Sequence, residues 1–369
     1  MRRIGIGALT TVLLLGAVAV VWGQFVSPGS RARPGGPIVR DIARLAAKDL
    51  TGNRLINGGM WIDQRNAGAS QTITAAAALA YTVDRWYAYG TGANVTGQRV
   101  AGSGAFEFAY KFTGATSNTA IGFAQRIEAT NVYDLASTPV TLSAFTSSSS
   151  LTTITWIASF ATTTADTFGT IASPTVTQIA TGTWPVTPTL TRNTTSFVLP
   201  AGAQKGVQIE FKATAGLATT QTWTITGAQL EAGSTPSAFA FPNRAAVLDA
   251  CQRYYERLDS SVAIRRSMAM GFWNSTTQAY GFVYFRVTKR AMMPTMTTSA
   301  TAADFVWFNP TTQSDIALTS VPSLALNGAD VVLIVGTTGV TAPTVGAGTY
   351  LTSASAAGAP AFIAFAAEL

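Results

Sequence analysis

From Asn53 onward, apolar and polar positions alternate along the chain. Phe106–Phe112 (FEFAYKF) sets Phe106, Phe108, Tyr110 and Phe112 on one side of an extended segment and Glu107, Ala109 and Lys111 on the other. Gly206–Lys212 (GVQIEFK) repeats this, with Val207, Ile209 and Phe211 opposed to Gln208, Glu210 and Lys212, and Trp223–Gly227 (WTITG) alternates Trp and Ile with Thr. A period of two buries one face of a strand and wets the other, as antiparallel sheets do. Clusters of Gly, Pro, Ser and Asn punctuate these runs, which is the all-β pattern. The spacing predicts about eight or nine strands over residues 53–243, arranged as a jelly-roll β-sandwich.

The period changes at Arg244. Val247, Leu248, Cys251, Tyr254, Tyr255 and Leu258 recur at helical spacing, predicting a connecting helix over 244–259. Strands resume at FVYFRVT (Phe282–Thr288), FVWFN (Phe305–Asn309), VVLIVG (Val331–Gly336) and FIAFAAEL (Phe362–Leu369). They predict a second, smaller β-sandwich over 260–369, which would form the tip. No repeat at a fixed period of 20 to 50 residues occurs, so a solenoid is disfavoured.

Ahead of Asn53 the pattern is different again. Ile4–Val26 carries no charge over 23 residues, long enough for a membrane-spanning helix of about 20. Arg2 and Arg3 precede it, and Val21 with Gly23 could serve a signal peptidase. Residues 1–26 therefore read as an apolar N-terminal helix: an export signal, a retained membrane anchor, or a helix buried by protein in a particle. Ser27–Pro37 (SPGSRARPGGP) is a flexible linker by composition. Ile38–Leu50 adds a short helical stripe with apolar residues at 38, 42 and 45, suited to trimerising a stalk or packing on the next domain. Together they fill 27–52.

Composition narrows the function classes. Only 11% of the 369 residues are charged, against about a quarter in ordinary soluble domains. Residues 1–50 hold seven basic and two acidic side chains, a net +5 of the total +7. The remaining 319 residues hold 17 basic and 15 acidic groups, a net +2, which argues against a nucleic-acid groove lined by Lys and Arg. The basic arm could touch phosphate, a membrane surface or an acidic partner, or be ordinary solvated charge.

The chemistry available is limited. With no histidine, Ser-His-Asp and Cys-His catalysis and His-ligated zinc are excluded. Cys251 is the single cysteine, so it forms no intrachain disulfide and reads as a small buried hydrophobe. P-loop and Rossmann fingerprints are absent. Paired carboxylates are the remaining enzymatic option, as in glycosidases, with Asp63, Asp84, Glu107, Glu128 and Glu210 as candidates. Solvated surface acids are the simpler reading of Glu107 and Glu210. No catalytic residue, metal site or cofactor is expected.

Three segments in order carry a resemblance: LINGGMWIDQR (Leu55–Arg65), YTVDRW (Tyr81–Trp86) and Trp223–Glu256. Over roughly Asn53–Asp259 the chain resembles bacteriophage tail-fibre, head-fibre and spike appendage proteins built on a carbohydrate-binding-like β-sandwich; the AEL ending also resembles that family. The resemblance implies a virion surface appendage, a homotrimer, attached through its N-terminal arm to other virion proteins and adhering to a host-surface glycan, with possible membrane contact through residues 4–26. It implies structural roles for Trp61, Arg65, Asp84, Trp86, Cys251, Tyr254 and Tyr255, including an Arg65–Asp84 ion pair pinning the N-terminal strand. A phage fibre assembled in the cytoplasm would not ordinarily need an export signal, so an exported or membrane-anchored bacterial adhesin stays open, as does a polysaccharide depolymerase. Flat aromatic rings stack on sugar faces, and Trp273, Tyr280 and Trp307 in the tip are the candidate glycan contacts, with core packing as the alternative for each.

Overall fold

The computed structural model describes residues 52–75, 79–259, 267–339, 344–354 and 361–369. The expected apolar helix over 1–26 lies outside the described residues, as do the linker and short helix apart from Gly52.

The described chain is mostly β-sheet. Its first part holds β1 (Gln71–Ile73), β2 (Ala80–Tyr81), β3 (Tyr87–Thr91), β4 (Val95–Ala101), β5 (Phe108–Thr113) and β6 (Ala120–Ile127). These are followed by β7 (Pro139–Ser148), β8 (Thr153–Ala161), β9 (Val176–Pro185), β10 (Thr191–Val198), β11 (Val207–Ala213) and β12 (Thr222–Ala232). They form two six-stranded sheets, β1-β4-β5-β12-β7-β10 and β2-β3-β6-β11-β8-β9, in which every strand pair is antiparallel. From β5 to β12 the chain crosses between sheets at each step except the β8–β9 hairpin, which is the jelly-roll habit. Twelve strands stand where about eight or nine were expected, because short edge strands such as β1 and β2 leave little periodic signal.

Alternation decides what the sandwich buries. In β11, Val207, Ile209, Phe211 and Ala213 face inward while Gln208, Glu210 and Lys212 face out. The core is aromatic: Trp86 stacks on Phe123 at 4.7 Å and Phe112 on Trp223 at 5.1 Å. The two indole N–H groups donate to Asn57 O at 3.2 Å and Thr146 Oγ1 at 2.8 Å, so neither ring leaves a buried donor unpaired. Phe106 lies just before β5 and packs in a satellite cluster with Trp61, Phe239, Val247 and Cys251.

The connecting helix is shorter than expected. It runs Arg244–Gln252, with the Asn243 side chain capping it by accepting from Ala245 N at 2.8 Å. The expected last turn is instead β13 (Tyr255–Asp259). Its residues are claimed by a partner strand near the other end of the chain, so tertiary pairing overrides the helical spacing.

Beyond the helix lie β14 (Ser267–Trp273), β15 (Gln278–Tyr284), β16 (Thr295–Thr298), β17 (Phe305–Asn309) and β18 (Ser314–Ala317). Then come β19 (Ser323–Leu326), β20 (Val331–Thr337), β21 (Gly348–Ser353) and β22 (Phe362–Ala366). Among the described residues they make a three-stranded sheet, β13-β22-β16, and a seven-stranded sheet, β18-β17-β21-β14-β15-β20-β19. Trp273, Trp307, Ile334 and Leu351 of the larger sheet share a core with Ile363 and Phe365 of the smaller one. The strand expected at 282–288 ends at Tyr284, after which Phe285 turns inward against Phe365 at 5.0 Å.

Candidate functional site

The residues that carried the resemblance assemble at the junction of the two β-modules. YTVDRW folds into a tight turn: Trp86 N donates to Val83 O at 3.0 Å and Thr82 N to Trp86 O at 2.8 Å. The turn puts Arg85 at φ +73°, a conformation that normally selects glycine. An arginine holds that place because its side chain is needed. Its guanidinium is buried, lies 3.4 Å over the Tyr254 ring, donates to Arg126 O at 2.6 Å, and pairs with Glu368.

Glu368 is shared. Its other oxygen accepts from Arg65 at 2.9 Å, and Arg65 in turn lies 3.6 Å over Tyr255 and 4.9 Å from the Tyr81 ring centroid. Leu369 O accepts from Tyr81 Oη and Arg126 Nη1, each at 2.9 Å. The segment after β22 is thereby plugged into the first sandwich. A shallow cavity of about 360 Å³ beside it is lined by Arg65, Tyr81, Arg290, Met293 and Glu368. Both of its arginines are already engaged, Arg290 with the carbonyls of Ala367 and Glu368.

The expected Arg65–Asp84 ion pair is replaced by these contacts. Asp84 accepts instead from Gln64, from the backbone N at 2.9 Å and from the side-chain amide. Burial pushes its carboxyl up to about 6, against the lowering effect of the Gln64 hydrogen bonds and of Arg65. Between about pH 4 and 6 the folded chain therefore keeps a proton there that the unfolded chain, with a carboxyl near 3.9, has lost. Asp84's contribution to stability is greatest below about pH 4 and declines as pH rises toward about 6. Thermal midpoints taken between pH 4 and 7 are expected to fall more steeply in the native chain than in Asp84→Asn; equal slopes would refute this assignment.

Trp61, Trp86, Cys251, Tyr254 and Tyr255 are all buried. Burial also drives the Cys251 thiol well above its ordinary value, leaving it unreactive. Trp273 and Trp307 are fully buried, edge to face at 6.5 Å, and the Trp307 N–H donates to Gly336 O at 3.2 Å. Neither presents a face on which a sugar could stack. Tyr280 alone of the three is partly open, on the outer side of the seven-stranded sheet.

A different surface gathers an aromatic ring, a carboxylate and polar side chains. On the outer face of the second sheet, β3, β6, β11, β8 and β9 lie side by side. One row across it is Tyr89, Gly122, Lys212, Thr155 and Thr183; the next is Tyr87, Ala124, Glu210, Ile157 and Thr181. Gly122 and Ala124 make the middle shallow. Tyr89 lies across Gly122, where a Cβ would overlap its ring, and its hydroxyl donates to Glu210. Lys212 Nζ stands 5.8 Å from the ring centroid. Gln208 Oε1 accepts from Arg126 Nε at 3.2 Å, closing the cluster on the side of Leu369. Tyr89, Gln208, Glu210 and Lys212 are half-buried, while Gln178, Thr181 and Thr183 are exposed.

Burial raises the Glu210 carboxyl, countered by the Tyr89 hydrogen bond and Lys212; no second carboxylate contributes. The other acids considered for catalysis are engaged elsewhere. Glu107 pairs with Arg244, Glu128 with Arg253 at 3.0 Å, and Asp63 accepts from the backbone of Asn66 and Gly68. Among the described residues no cluster of acids and cysteine could hold a metal, and no helix is long and apolar enough to cross a membrane. The outward positions of β11 were legible from alternation. Tyr89 and Gly122 were not, because only cross-strand register brings them to Glu210.

No family model matches the chain. No curated protein matches it either. Among solved structures it is similar to the enzymatically active domain of tailspike protein 4 of bacteriophage CBA120, at 17% identity over 49% of this chain and 21% of that one, with a TM-score of 0.31. It is also similar to TmCBM61 in complex with β-1,4-galactotriose (14% identity, 49% and 99% covered, TM-score 0.30). A third is the CBM22-1 xylan-binding domain of Xyn10C from Paenibacillus barcinonensis (11% identity, 46% and 99% covered, TM-score 0.28). The chain spans about a fifth of the length of the tailspike domain it matches.

Proposed function

We propose that this protein binds a glycan without cleaving it, through the outer face of the second sheet around Tyr89, Glu210, Lys212 and Gln208. The observation that carries this reading is the Tyr89 ring packed against Gly122 with its hydroxyl on Glu210. A pyranose has an apolar face and a rim of hydroxyls, so it needs a flat ring flanked by donors and acceptors. That face offers both. The two rows of that face carry one carboxylate, Glu210, which supports binding over hydrolysis, since glycosidases work with two.

In the fuller reading the chain is a subunit of a bacteriophage surface appendage, a fibre, spike or head fibre. It is held to other virion proteins by its basic N-terminal arm and acts as a homotrimer whose copies combine weak sites into avidity. The order of the three sequence segments described above supports it. An exported or membrane-anchored adhesin is the second reading, favoured by the uncharged run Ile4–Val26. N-terminal sequencing of native material separates the two: cleavage after Gly23 supports export.

The site is tested by titration with host-surface oligosaccharides. Tyr89→Ala is expected to weaken binding about tenfold or more, the equivalent of roughly 1.4 kcal/mol of lost stacking and hydrogen bonding. Gly122→Ala is expected to do the same by displacing the ring. Unchanged affinity in both variants would refute the site, and release of reducing ends by the native protein would refute the non-enzymatic reading.

A further inference from the structure

The outer side of the seven-stranded sheet breaks the rule that shaped the rest of the fold. Antiparallel sheets with one face on a core keep polar residues on the other. Here β15 sends Ala279 and Val283 inward and Tyr280, Phe282 and Tyr284 outward. Its neighbour β20 opens with five consecutive apolar residues, VVLIV, the pattern of a strand covered on both sides. Only its inward set, Val332 and Ile334, is fully covered. Met270 is 61% exposed, Phe282 37%, Tyr284 74% and Leu326 66%. These four alone present roughly 450 Å² of apolar surface, given about 150–250 Å² for a large side chain, the size of the largest and often functional patch on a protein surface, about 300–600 Å².

We propose that this face is the contact through which copies of this chain associate. Its chemistry suits a protein surface better than a sugar. Apart from the Tyr280, Tyr284 and Tyr350 hydroxyls, the face offers little to pair with a ring of hydroxyls, and such groups are costly to bury unpaired. Charge sits at the margins, with Asp315 on the edge strand β18 and Arg286 just past the end of β15. An apolar centre with a charged rim is the anatomy of a subunit interface. Together with the half-buried residues of β20, β14 and β21, the face approaches the roughly 800 Å² per partner of a stable protein contact. The rings are already ordered: Phe272 lies 6.2 Å from Phe282, and Phe282 stacks at 6.4 Å on Tyr284, so association fixes few new rotamers. A second copy is the occupant to which this points, since most soluble oligomers are closed symmetric assemblies of identical chains. The inference supplies the subunit contact for the multivalent reading above but does not depend on the sugar face.

The test uses the full chain. Sedimentation is expected to give a mass that is a multiple of 38.4 kDa for the native protein and a fall to the single-chain mass for Phe282→Glu combined with Leu326→Glu, with unchanged circular dichroism. p-Benzoylphenylalanine in place of Tyr284 should photocross-link to strands β14–β21 of another copy. A native protein of single-chain mass, a double variant of undiminished mass, or cross-links only to residues 1–51 would overturn the proposal. Binding to lipid vesicles that the double variant abolishes without any change of mass would replace it with a membrane contact. A single-chain variant that keeps its affinity for a short oligosaccharide leaves the glycan reading intact; loss of sugar binding by Tyr89→Ala in a still-associated protein leaves this one intact.

Discussion

Glu368→Ala is expected to cost about 3–5 kcal/mol, the usual loss when one partner of a buried ion pair is removed. The reason is the environment left behind. Arg85 keeps 1% of its side chain exposed and Arg65 18%, and Glu368 is the carboxylate between them. Without it, Arg85 remains charged in a site closed by the Tyr254 ring, with the Arg126 carbonyl as its hydrogen-bond partner. The turn strain at φ +73° also loses the contact that offsets it. Glu368→Gln preserves shape and removes only charge, so it should recover little. Denaturant midpoints at constant slope measure the effect. A loss under about 1 kcal/mol, the range of solvent-exposed pairs, would mean that the clamp is not what joins the modules.

The second large effect is expected at Lys289. Its ammonium is buried on Glu256 at 2.6 Å, with Gln252 O as a further acceptor and the Phe285 ring 4.4 Å away. Burial pulls this amine below its ordinary range, and Glu256 pulls it back. Glu256→Ala should cost about 3–5 kcal/mol by leaving the cation alone, whereas Glu256→Leu with Lys289→Met should be far milder, since apolar replacements of buried pairs are often neutral. If the double variant is as unstable as the single one, packing around the helix end, and not charge, is what matters there.

Much of the β architecture was legible because it is written locally. Period-two runs such as VQIEFKA report their own inward and outward faces, and the strand expected at Phe305–Asn309 has those bounds. What escaped was non-local. Tyr254, Tyr255 and Leu258 fit a helical stripe, yet Tyr255–Asp259 pairs with Phe362–Ala366 about a hundred residues away. Arg65 and Asp84 were natural partners by charge, and nothing in sequence announces that Glu368 takes one and Gln64 the other. Aromatic residues pose the same difficulty: Trp273 and Trp307 look like ideal sugar platforms until register turns them inward, while Tyr89, in the short strand β3, reaches Glu210 across Gly122.

The acid at position 368 travels with the C-terminal module, while its two arginines are encoded some three hundred residues earlier in the first. A hybrid carrying a foreign C-terminal module would therefore fold only when the incoming segment restores a carboxylate at that place. A swap of the C-terminal module should begin by keeping residues 367–369.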